Sequence, residues 1–394
     1  MATGTSSTSR RGRPPLPVDR DCLAYLRSLN FTWPEISSVL GVSSRTIQRR
    51  AQEWSISRFT VISDQALDQE IYRIKSDFPN SGEVMIAGHL LSRGIHVQRQ
   101  KLRDSLARLR GSTNIGMNPS IFRRTYSVPG PNFLWHIDGN HKLIKYRLVI
   151  HGGIDGFSRL VTYLACANNN LADTVLSEFL HATEKYGTPS RVRSDMGGEN
   201  VDVWRHMLAE RGEGRSSFIA GSSVHNTRIE RLWRDVYVQV TATYSAVFTS
   251  LESNGVLDPL NVVDLFCLHF VYIPRINQSL SLFQEAWNNH PLSTESNRTP
   301  LQLYTLYAIG NPLFTDQDDI DCNSYGVDPD DLIDEDDAIN VPETVVPLSD
   351  SSINMLTGSI NPLQQSDSYG ADIYMQTVNL VYQLMLREGL VDES

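Results

Sequence analysis

The chain has 394 residues, 40% of them hydrophobic, and a formal net charge of −10. This length suffices for two or three domains with a sizeable core. No apolar run approaches the eighteen residues of a membrane-spanning helix, and the polar segment 1–17 lacks the apolar centre of a secretory signal, so neither is expected. No Cys-x-x-Cys pair occurs, so we expect no disulfide framework and no zinc cluster. The four cysteines are Cys22, Cys166, Cys267 and Cys322.

The negative charge is concentrated at one end of the chain. Residues 315–394 contain eighteen acidic residues against one arginine, whereas the remainder is net basic. A basic body with an acidic tail is a pattern expected of proteins that handle nucleic acids, and a solvated surface with a disordered tail would give the same balance. We therefore predict an acidic, largely disordered tail over 315–394, in which 374–390 is a candidate terminal helix.

A short basic motif lies in the N-terminal tail, residues 1–17. Its sequence Arg11-Gly12-Arg13-Pro14 resembles the core of an AT-hook. In such a motif, arginines lie in the narrow minor groove of A·T-rich DNA, where the negative potential is enhanced. This resemblance implies DNA contacts for Arg11 and Arg13. A nuclear import signal or a generic basic tail is the alternative.

Residues 18–57 are predicted to form a helix-turn-helix. Apolar residues recur at helical spacing, and Gly41 interrupts them where a turn is needed. Arg45, Gln48 and Arg49 would project from the last helix, where such side chains reach base edges and phosphates in a major groove. A small structural bundle is the alternative.

A second helical module and a linker are predicted over 58–127. Its third helical stretch is strongly basic, and that surface either binds DNA or is simply solvated; we favour DNA. After the core described next, residues 255–314 are expected to be its helical extension, with long helices over 262–272 and 275–287. The segment 111–131 is rich in Gly, Asn and Pro, which is typical of a linker.

Residues 128–254 are predicted to alternate strands and helices. Three strands precede a helix, and then a strand, a helix, a short strand and a final helix follow. Asp138 lies in the first strand, Asp195 closes the fourth, and Glu230 lies in the last helix. Taken singly, these acids could belong to a turn, a helix cap and a helix surface. If they converge, they are hard oxygen ligands of the kind that Mg²⁺ prefers.

Four motifs occur in order around these acids, with 34 residues between Asp195 and Glu230. They resemble the retroviral-integrase-like catalytic core of the Asp-Asp-Glu integrase and transposase superfamily. The resemblance implies a ribonuclease-H-like α/β fold with a five-stranded mixed sheet and flanking helices. It also implies that Asp138, Asp195 and Glu230 are catalytic and hold two Mg²⁺ or Mn²⁺ ions. Met196 departs from the family, which often has Asn there, and 223–227 replaces the common Pro-x-x-Asn-Gly. The motifs are Trp135-His136-Ile137-Asp138, Gly153-Ile154-Asp155-Gly156-Phe157-Ser158-Arg159, Arg193-Ser194-Asp195-Met196-Gly197-Gly198-Glu199-Asn200 and Asn226-Thr227-Arg228-Ile229-Glu230-Arg231.

Other charged residues of the core have separate interpretations. Asp155 precedes Gly156 at a predicted hairpin, where Asp is favoured for backbone reasons, so we interpret it as structural. Arg228, Arg231 and Arg234 are three residues apart on the last helix and share one flank. That flank would contact DNA phosphates, and an ordinary charged helix face is the alternative.

The sequence therefore predicts a DNA integrase or transposase that performs metal-dependent phosphodiester cleavage and strand transfer. Its expected partner is double-stranded DNA, as element ends and target. The resemblance also implies a homo-oligomer, and the nucleus is the expected location. We expect neither membrane nor zinc binding. The alternatives are a domesticated, catalytically silent DNA-binding protein that keeps the fold and a structure-selective nuclease.

Overall fold

The computed structural model describes residues 18–109, 128–195, 197–212, 215–220, 226–310 and 341–390. The chain divides into two compact units, Met1–Val61 and Ile62–Ser394. Arg11 and Arg13 of the AT-hook-like motif lie outside the described residues, as does the most acidic part of the tail, 311–340.

Three helices make up the first unit: α1 (Arg20–Ser28), α2 (Trp33–Leu40) and α3 (Ser44–Glu53). Each begins at a polar cap. In α2, Thr32 and Glu35 form a reciprocal capping box, and Ser43 accepts a hydrogen bond from the backbone of α3. Gly41 ends α2 with φ of 61°, a conformation that glycine adopts without strain. The N-terminal part of the chain is thus helical, as predicted.

The second unit begins with a helical module of α4 (Asp64–Asp77), α5 (Glu83–Ser92) and α6 (Arg99–Leu109). Aliphatic side chains from all three helices form one buried cluster, because they recur at helical spacing along each helix. The cluster consists of Leu67, Ile71, Ile74, Ile86, Leu90, Leu102 and Leu106.

A five-stranded mixed sheet follows the module, which confirms the predicted fold class. Its strand order is β3-β2-β1-β4-β5. The first three strands pair antiparallel, whereas β4 and β5 run parallel to β1. The strands are β1 (Leu134–Asn140), β2 (Val149–Asp155), β3 (Val161–Ala167), β4 (Arg191–Ser194) and β5 (Phe218–Ala220). The helices between and after them are α7 (Ala172–Tyr186), α8 (Val201–Arg211) and α9 (Thr227–Val236).

Each face of the sheet has its own apolar layer. Trp135 and Ile137 of β1 pack with α7 and α8 on one face. The opposite face packs against α9 and the helices after it. Those helices are a π-helical turn (Tyr237–Thr241), α10 (Ala242–Ser253) and α11 (Val262–Asn289); α12 (Pro300–Gly310) follows and contacts α11. No described helix is long and apolar enough to cross a membrane.

Two parts of the C-terminal half differ from the predictions. The two helices predicted over 262–272 and 275–287 are one continuous helix, α11, with Pro274 inside it. Proline costs roughly 3 kcal/mol in a helix interior, and the extensive burial of α11 on both sides of Pro274 offsets that cost.

The prediction of a largely disordered tail over 315–394 is wrong for residues 341–390. Here α13 (Asp350–Ser359) and α14 (Ala371–Arg387) pack into the same core as α11. The physical reason is the apolar stripe of α14, which includes Ile373, Val381 and Leu384 and is buried. Most of the acidic residues of 315–394 precede this segment, so the composition of the whole range did not describe residues 341–390, and α14 occupies most of the candidate terminal helix over 374–390.

Candidate active site

Asp138 lies near the end of β1, on the sheet face that α9 covers. Side chains alternate along a strand, and Trp135 and Ile137 point to the α7–α8 face, so Asp138 points the other way. Its Oδ2 accepts a hydrogen bond from Trp233 Nε1 at 2.7 Å, and its Oδ1 accepts one from the Gly139 N–H at 2.9 Å. The first predicted acid is therefore held in place by the helix that carries the third.

Gly152 makes this contact possible. It lies directly opposite Asp138 in the β1–β2 ladder. A Cβ at Gly152 would lie 2.7 Å from Cη2 of Trp233 and 2.9 Å from Cδ2 of Leu164. A glycine inside a strand often marks such a close approach. The missing side chain leaves room for the indole ring whose N–H reaches Asp138.

Asp195 follows β4 directly, next to β1 in the sheet. The parallel register pairs His136 with Arg193, and its continuation by two residues pairs Asp138 with Asp195. Asn200, which is buried, donates from Nδ2 to Asp195 Oδ1 at 3.1 Å. The sheet thus brings the first two predicted acids together, and Asn200 orients the second.

Glu230 lies in the first turns of α9, and two side chains fix the start of this helix on β1. Asn226 donates from Nδ2 to the carbonyl oxygen of Ile137 at 2.9 Å. Its Oδ1 lies 2.6 Å from Nδ1 of His136, and because an amide oxygen only accepts, the Nδ1 atom is the donor. The Glu230 N–H in turn donates to the Asn226 carbonyl oxygen at 3.1 Å. Glu230 itself is exposed.

The three carboxylates share one electrostatic environment. The pKa of Asp138 is raised to about 7, first by burial and then by the negative charges of Asp195 and Glu230, whereas the hydrogen bonds from Trp233 and the Gly139 N–H oppose the shift. The pKa of Glu230 is also raised, first by partial desolvation of its carboxylate and then by Asp195, with Lys142 acting in the opposite direction. The charges of Asp195 and Glu230 therefore act on Asp138, and the charge of Asp195 acts on Glu230.

The three carboxylates are chemically suited to bind a divalent cation. Carboxylate oxygens are the preferred ligands of Mg²⁺, and a bound cation would relieve their mutual repulsion. Within the described ranges, however, no three His, Cys, Asp or Glu side chains are already arranged as a group that could hold a metal ion. Asp138, Asp195 and Glu230 are the residues that would hold it.

Sequence reasoning missed the residues that support the acids. The motifs include His136 and Asn226 without a role of their own, and Trp233 and Gly152 lie outside them. The available signal was the Gly152-Gly153 pair inside a strand, since such glycines indicate close packing of another group. The distances above show that these residues orient the predicted acids.

Glu199 is a fourth acid beside the site. It is buried, and its pKa is raised by burial and, less strongly, by Asp195. Its carboxylate lies over Gly197, where an added Cβ would approach Oε1 to 2.1 Å. Asn170 donates to Oε2 at 3.4 Å. Glu199 therefore packs within the loop after Asp195.

Asp155 has the surroundings of a structural acid, in line with its interpretation. It is fully buried and accepts hydrogen bonds from the Asn132 N–H, the Ser158 N–H and the Ser158 hydroxyl at 2.8, 2.7 and 2.6 Å. It lies opposite Trp135 in the β1–β2 ladder, away from Asp138.

The predicted DNA-binding side chains lie on two helices in different units. Arg45, Gln48 and Arg49 are exposed on α3. On α9, Arg231 and Arg234 are exposed and Arg228 is half-buried, and Arg231 forms an ion pair of 3.8 Å with Asp235. These positions agree with the predicted surfaces, and DNA binding by them stays a prediction.

The basic residues of α6 have a different environment. Arg99 and Arg103 both form ion pairs with Glu83, at 2.7 and 3.0 Å, and Arg108 pairs with Asp68 at 2.7 Å. Carboxylates of the same module thus partly neutralise this helix, which favours the alternative of an ordinary solvated surface over DNA binding.

The part of the chain that contains the three acids resembles a known family. Residues 125–313 match the family model for the integrase core domain. The HTLV-2 integrase catalytic core domain in complex with magnesium, in its dimeric form, is 16% identical, with 45% of this chain and 98% of that chain covered and a TM-score of 0.28. The simian T-cell lymphotropic virus intasome in complex with PP2A regulatory subunit B56 gamma is 16% identical, with 59% and 72% covered and a TM-score of 0.35. Comparison with curated proteins gave no match.

The sheet order and the family match concern the same part of the chain. Three antiparallel strands followed by two parallel ones, with helices on both faces, form the arrangement that the sequence motifs predicted. Residues 125–313, which match the family model for the integrase core domain, have the sheet order of the predicted ribonuclease-H-like fold, and we refer to this region as the integrase-like core.

Proposed function

We propose that the protein is a DNA integrase or transposase that cleaves phosphodiester bonds and transfers DNA strands with divalent metal ions. The observation that carries this proposal is the electrostatic coupling of Asp138, Asp195 and Glu230 within the integrase-like core. The charges of Asp195 and Glu230 raise the pKa of Asp138, and the charge of Asp195 raises the pKa of Glu230; such repulsion between acids from a strand, a strand end and a helix is a feature of catalytic and cation-binding sites.

Each residue of the site has a defined task in this reaction. Asp138, Asp195 and Glu230 would hold Mg²⁺ or Mn²⁺. Bound ions of this kind lower the pKa of an attacking water or 3′-hydroxyl and stabilise the leaving oxygen. Trp233 holds Asp138 in one orientation, and Asn200 does so for Asp195. Because each of the two acids keeps a fixed orientation, little rearrangement is needed before reaction.

DNA would be bound by surfaces outside this cluster of acids. We propose that Arg228, Arg231 and Arg234 contact phosphates near the site, since they lie on the same helix as Glu230. The helix-turn-helix of residues 18–57 would read element ends through Arg45, Gln48 and Arg49, and the AT-hook-like tail would add minor-groove contacts. A homo-oligomer acting in the nucleus belongs to the same proposal.

The test is nicking and strand transfer on plasmid DNA that contains the matching element ends, with Mg²⁺ or Mn²⁺. Glu230→Gln should lower the rate at least about a thousandfold, because it removes a ligand charge while keeping the side chain's size. Glu210→Gln on the exposed surface of α8 is the matched control and should retain activity. Activity that survives Glu230→Gln would show that another residue is the third acid.

A second candidate is a domesticated DNA-binding protein that keeps the fold without turnover. The observation that favours it is that both carboxylate oxygens of Asp138 already accept hydrogen bonds from the protein. Each oxygen keeps a second lone pair for a metal ion, so these bonds do not exclude catalysis. DNA binding that is independent of metal, without cleavage in either the wild type or Glu230→Gln, would support this candidate.

A further inference from the structure

The helix that carries Glu230 is held at both ends. At its start, Asn226 binds β1 as described above. At its end, α9 runs without a break into the π-helical turn Tyr237–Thr241, in which the Ala242 N–H donates to the carbonyl oxygen of Tyr237, five residues earlier. Such π turns place one extra residue in a helix and are frequent at functional sites. The second end is thus a distinct structural feature.

The loop between α4 and α5 binds this π turn through three hydrogen bonds. The Ser81 hydroxyl donates to Gln239 Oε1 at 2.5 Å, and Gln239 Nε2 donates to the Asn80 carbonyl oxygen at 3.4 Å. Asn80 Nδ2 donates to the Val238 carbonyl oxygen at 3.0 Å. Ser81 and Gln239 are only 1% and 8% exposed. We call these four residues, Asn80, Ser81, Val238 and Gln239, the loop clamp.

The loop itself is firmly anchored on its own side. Lys75 Nζ donates to the carbonyl oxygens of Ser81 and Pro79 at 2.6 and 3.2 Å. Phe78 is buried, and its ring stacks on His89 with centroids 4.6 Å apart. The following helix α5 packs tightly on α11. The loop clamp therefore connects the end of α9 to a fixed part of the helical module.

Gly88 allows the backbone of α5 to pack closely on α11, much as Gly152 leaves room for Trp233. A Cβ at Gly88 would lie 2.3 Å from the carbonyl oxygen of Ala286, so the two helix backbones come together where no side chain intervenes. Because α11 also packs against β3, the module is tied to the sheet as well as to α9. Movement of the loop alone is therefore restricted.

We propose that the loop clamp positions Glu230, so that the helical module α4–α6 completes the catalytic site of the integrase-like core. The inference rests on the proposed function. Gln239 lies nine positions after Glu230 in continuous helix, so a shift or tilt at the π turn moves the carboxylate. Functional groups must be held within about 0.5 Å of the productive geometry, and the loop clamp adds directional contacts beyond Glu230 to those that Asn226 and Trp233 make with β1.

The placement of the clamp supports a positioning role. Asn80 and Ser81 lie outside residues 125–313, the part of the chain that matches the integrase core family. The contact also consists of directional hydrogen bonds, of which the one between Ser81 and Gln239 is nearly buried, and such bonds fix a relative position more narrowly than apolar packing does. Ser81 and Gln239 are therefore positioning residues that act through α9 and not catalytic residues.

The experiment compares full-length variants. Ser81→Ala removes the donor to Gln239, and Asn80→Ala removes an exposed amide whose loss leaves the fold intact. Ser81→Thr keeps the hydroxyl. Ser105→Ala is the matched control, because the buried Ser105 hydroxyl bonds to Asp68 within the same module. The readouts are kcat and KM for cleavage, Mn²⁺ affinity by calorimetry, and hydrogen exchange of the α9 amides without metal.

We expect Ser81→Ala and Asn80→Ala each to lower kcat and Mn²⁺ affinity roughly 10- to 100-fold, the range found when a residue supporting a metal ligand is lost. KM for DNA should change less than kcat, because the proposed DNA contacts of Arg228, Arg231 and Arg234 are made by long side chains that tolerate a small shift of α9, and α9 amides should exchange faster. Ser81→Thr and Ser105→Ala should behave like the wild type.

Three outcomes decide the matter. If the wild type cleaves DNA, and Ser81→Ala and Asn80→Ala keep its kcat and Mn²⁺ affinity, the loop clamp has no positioning role. Equal losses in Ser105→Ala would assign the effect to general destabilisation and would also overturn the inference. If the wild type cleaves no DNA, the proposed function fails, and the Mn²⁺ affinity and the exchange rates then decide the positioning role on their own.

Discussion

Asp138 and Asp155 lie on paired strands, and burial raises the pKa of both, to about 7 and about 6. Their surroundings nevertheless differ. The Asp155 carboxylate accepts three hydrogen bonds from Asn132 and Ser158, and these bonds favour its charged form. Asp138 has two donors and also the negative charge of Asp195 and Glu230, which disfavour its charged form.

The comparison distinguishes a structural acid from an acid of the proposed catalytic cluster. A raised pKa does not distinguish them, since burial alone produces it. The distinction lies in whether the neighbours satisfy the charge or oppose it. Asp155 closes a network of neutral donors, whereas Asp138 belongs to a cluster whose repulsion only a cation or a proton can relieve.

The largest expected effect on stability is at Asp155. Asp155→Ala should lower the free energy of unfolding by about 3 kcal/mol, because it leaves buried donors of Asn132 and Ser158 without an acceptor. Urea denaturation at pH 7 measures the loss. Asp138→Ala is the matched control and should cost less, since it also removes a repelling charge. If Asp138→Ala were the more destabilising of the two, the assignment of roles would be reversed.

A smaller effect should appear in the pH dependence of stability. The raised pKa of Asp138 means that the folded protein binds this proton more tightly than the unfolded chain does. Its contribution to stability is therefore full below the ordinary value of 3.8 and is lost as the pH rises to about 7.

Asp138→Asn should remove this contribution to the pH dependence. The quantity to compare is the free energy of unfolding of Asp138→Asn minus that of the wild type, without divalent ions. This difference should be about 2 kcal/mol more in favour of the variant at pH 8 than at pH 4. Urea denaturation of both proteins at the two pH values tests this. Asp155→Asn is the comparison, and its opposed hydrogen bonds predict a smaller change. If the free energies of unfolding of wild type and Asp138→Asn differ by the same amount at both pH values, Asp138 is not repelled by its neighbours.

The sequence predicted the order of the elements, and the convergence of Asp138, Asp195 and Glu230 stays a prediction. The order depends on local signals, namely apolar runs that make strands and periodic patterns that make helices. Three strands, a helix, a strand, a helix, a short strand and a final helix follow one another as predicted. Such features are encoded within a few neighbouring residues, so the sequence displays them directly.

The supporting contacts could not be predicted in the same way. Trp233 reaches Asp138 only because Gly152 lies opposite Asp138 in the ladder, which is a matter of strand register. Ser81 and Gln239 are 158 residues apart in the sequence. Neither pair leaves a local pattern, because each depends on how distant elements pack.

The smallest of these effects is stabilisation by Mg²⁺. At pH 8 and ten times its dissociation constant, Mg²⁺ should raise the free energy of unfolding of the wild type by about 1.4 kcal/mol, since it binds only the folded protein. Acidification to pH 5 should weaken binding, because a proton on Asp138 competes with the ion. Asp138→Asn should lose the response, whereas Asp155→Asn should keep it. A response that is equal in both variants would place the ion elsewhere on the protein and would remove the electrostatic distinction between the two aspartates.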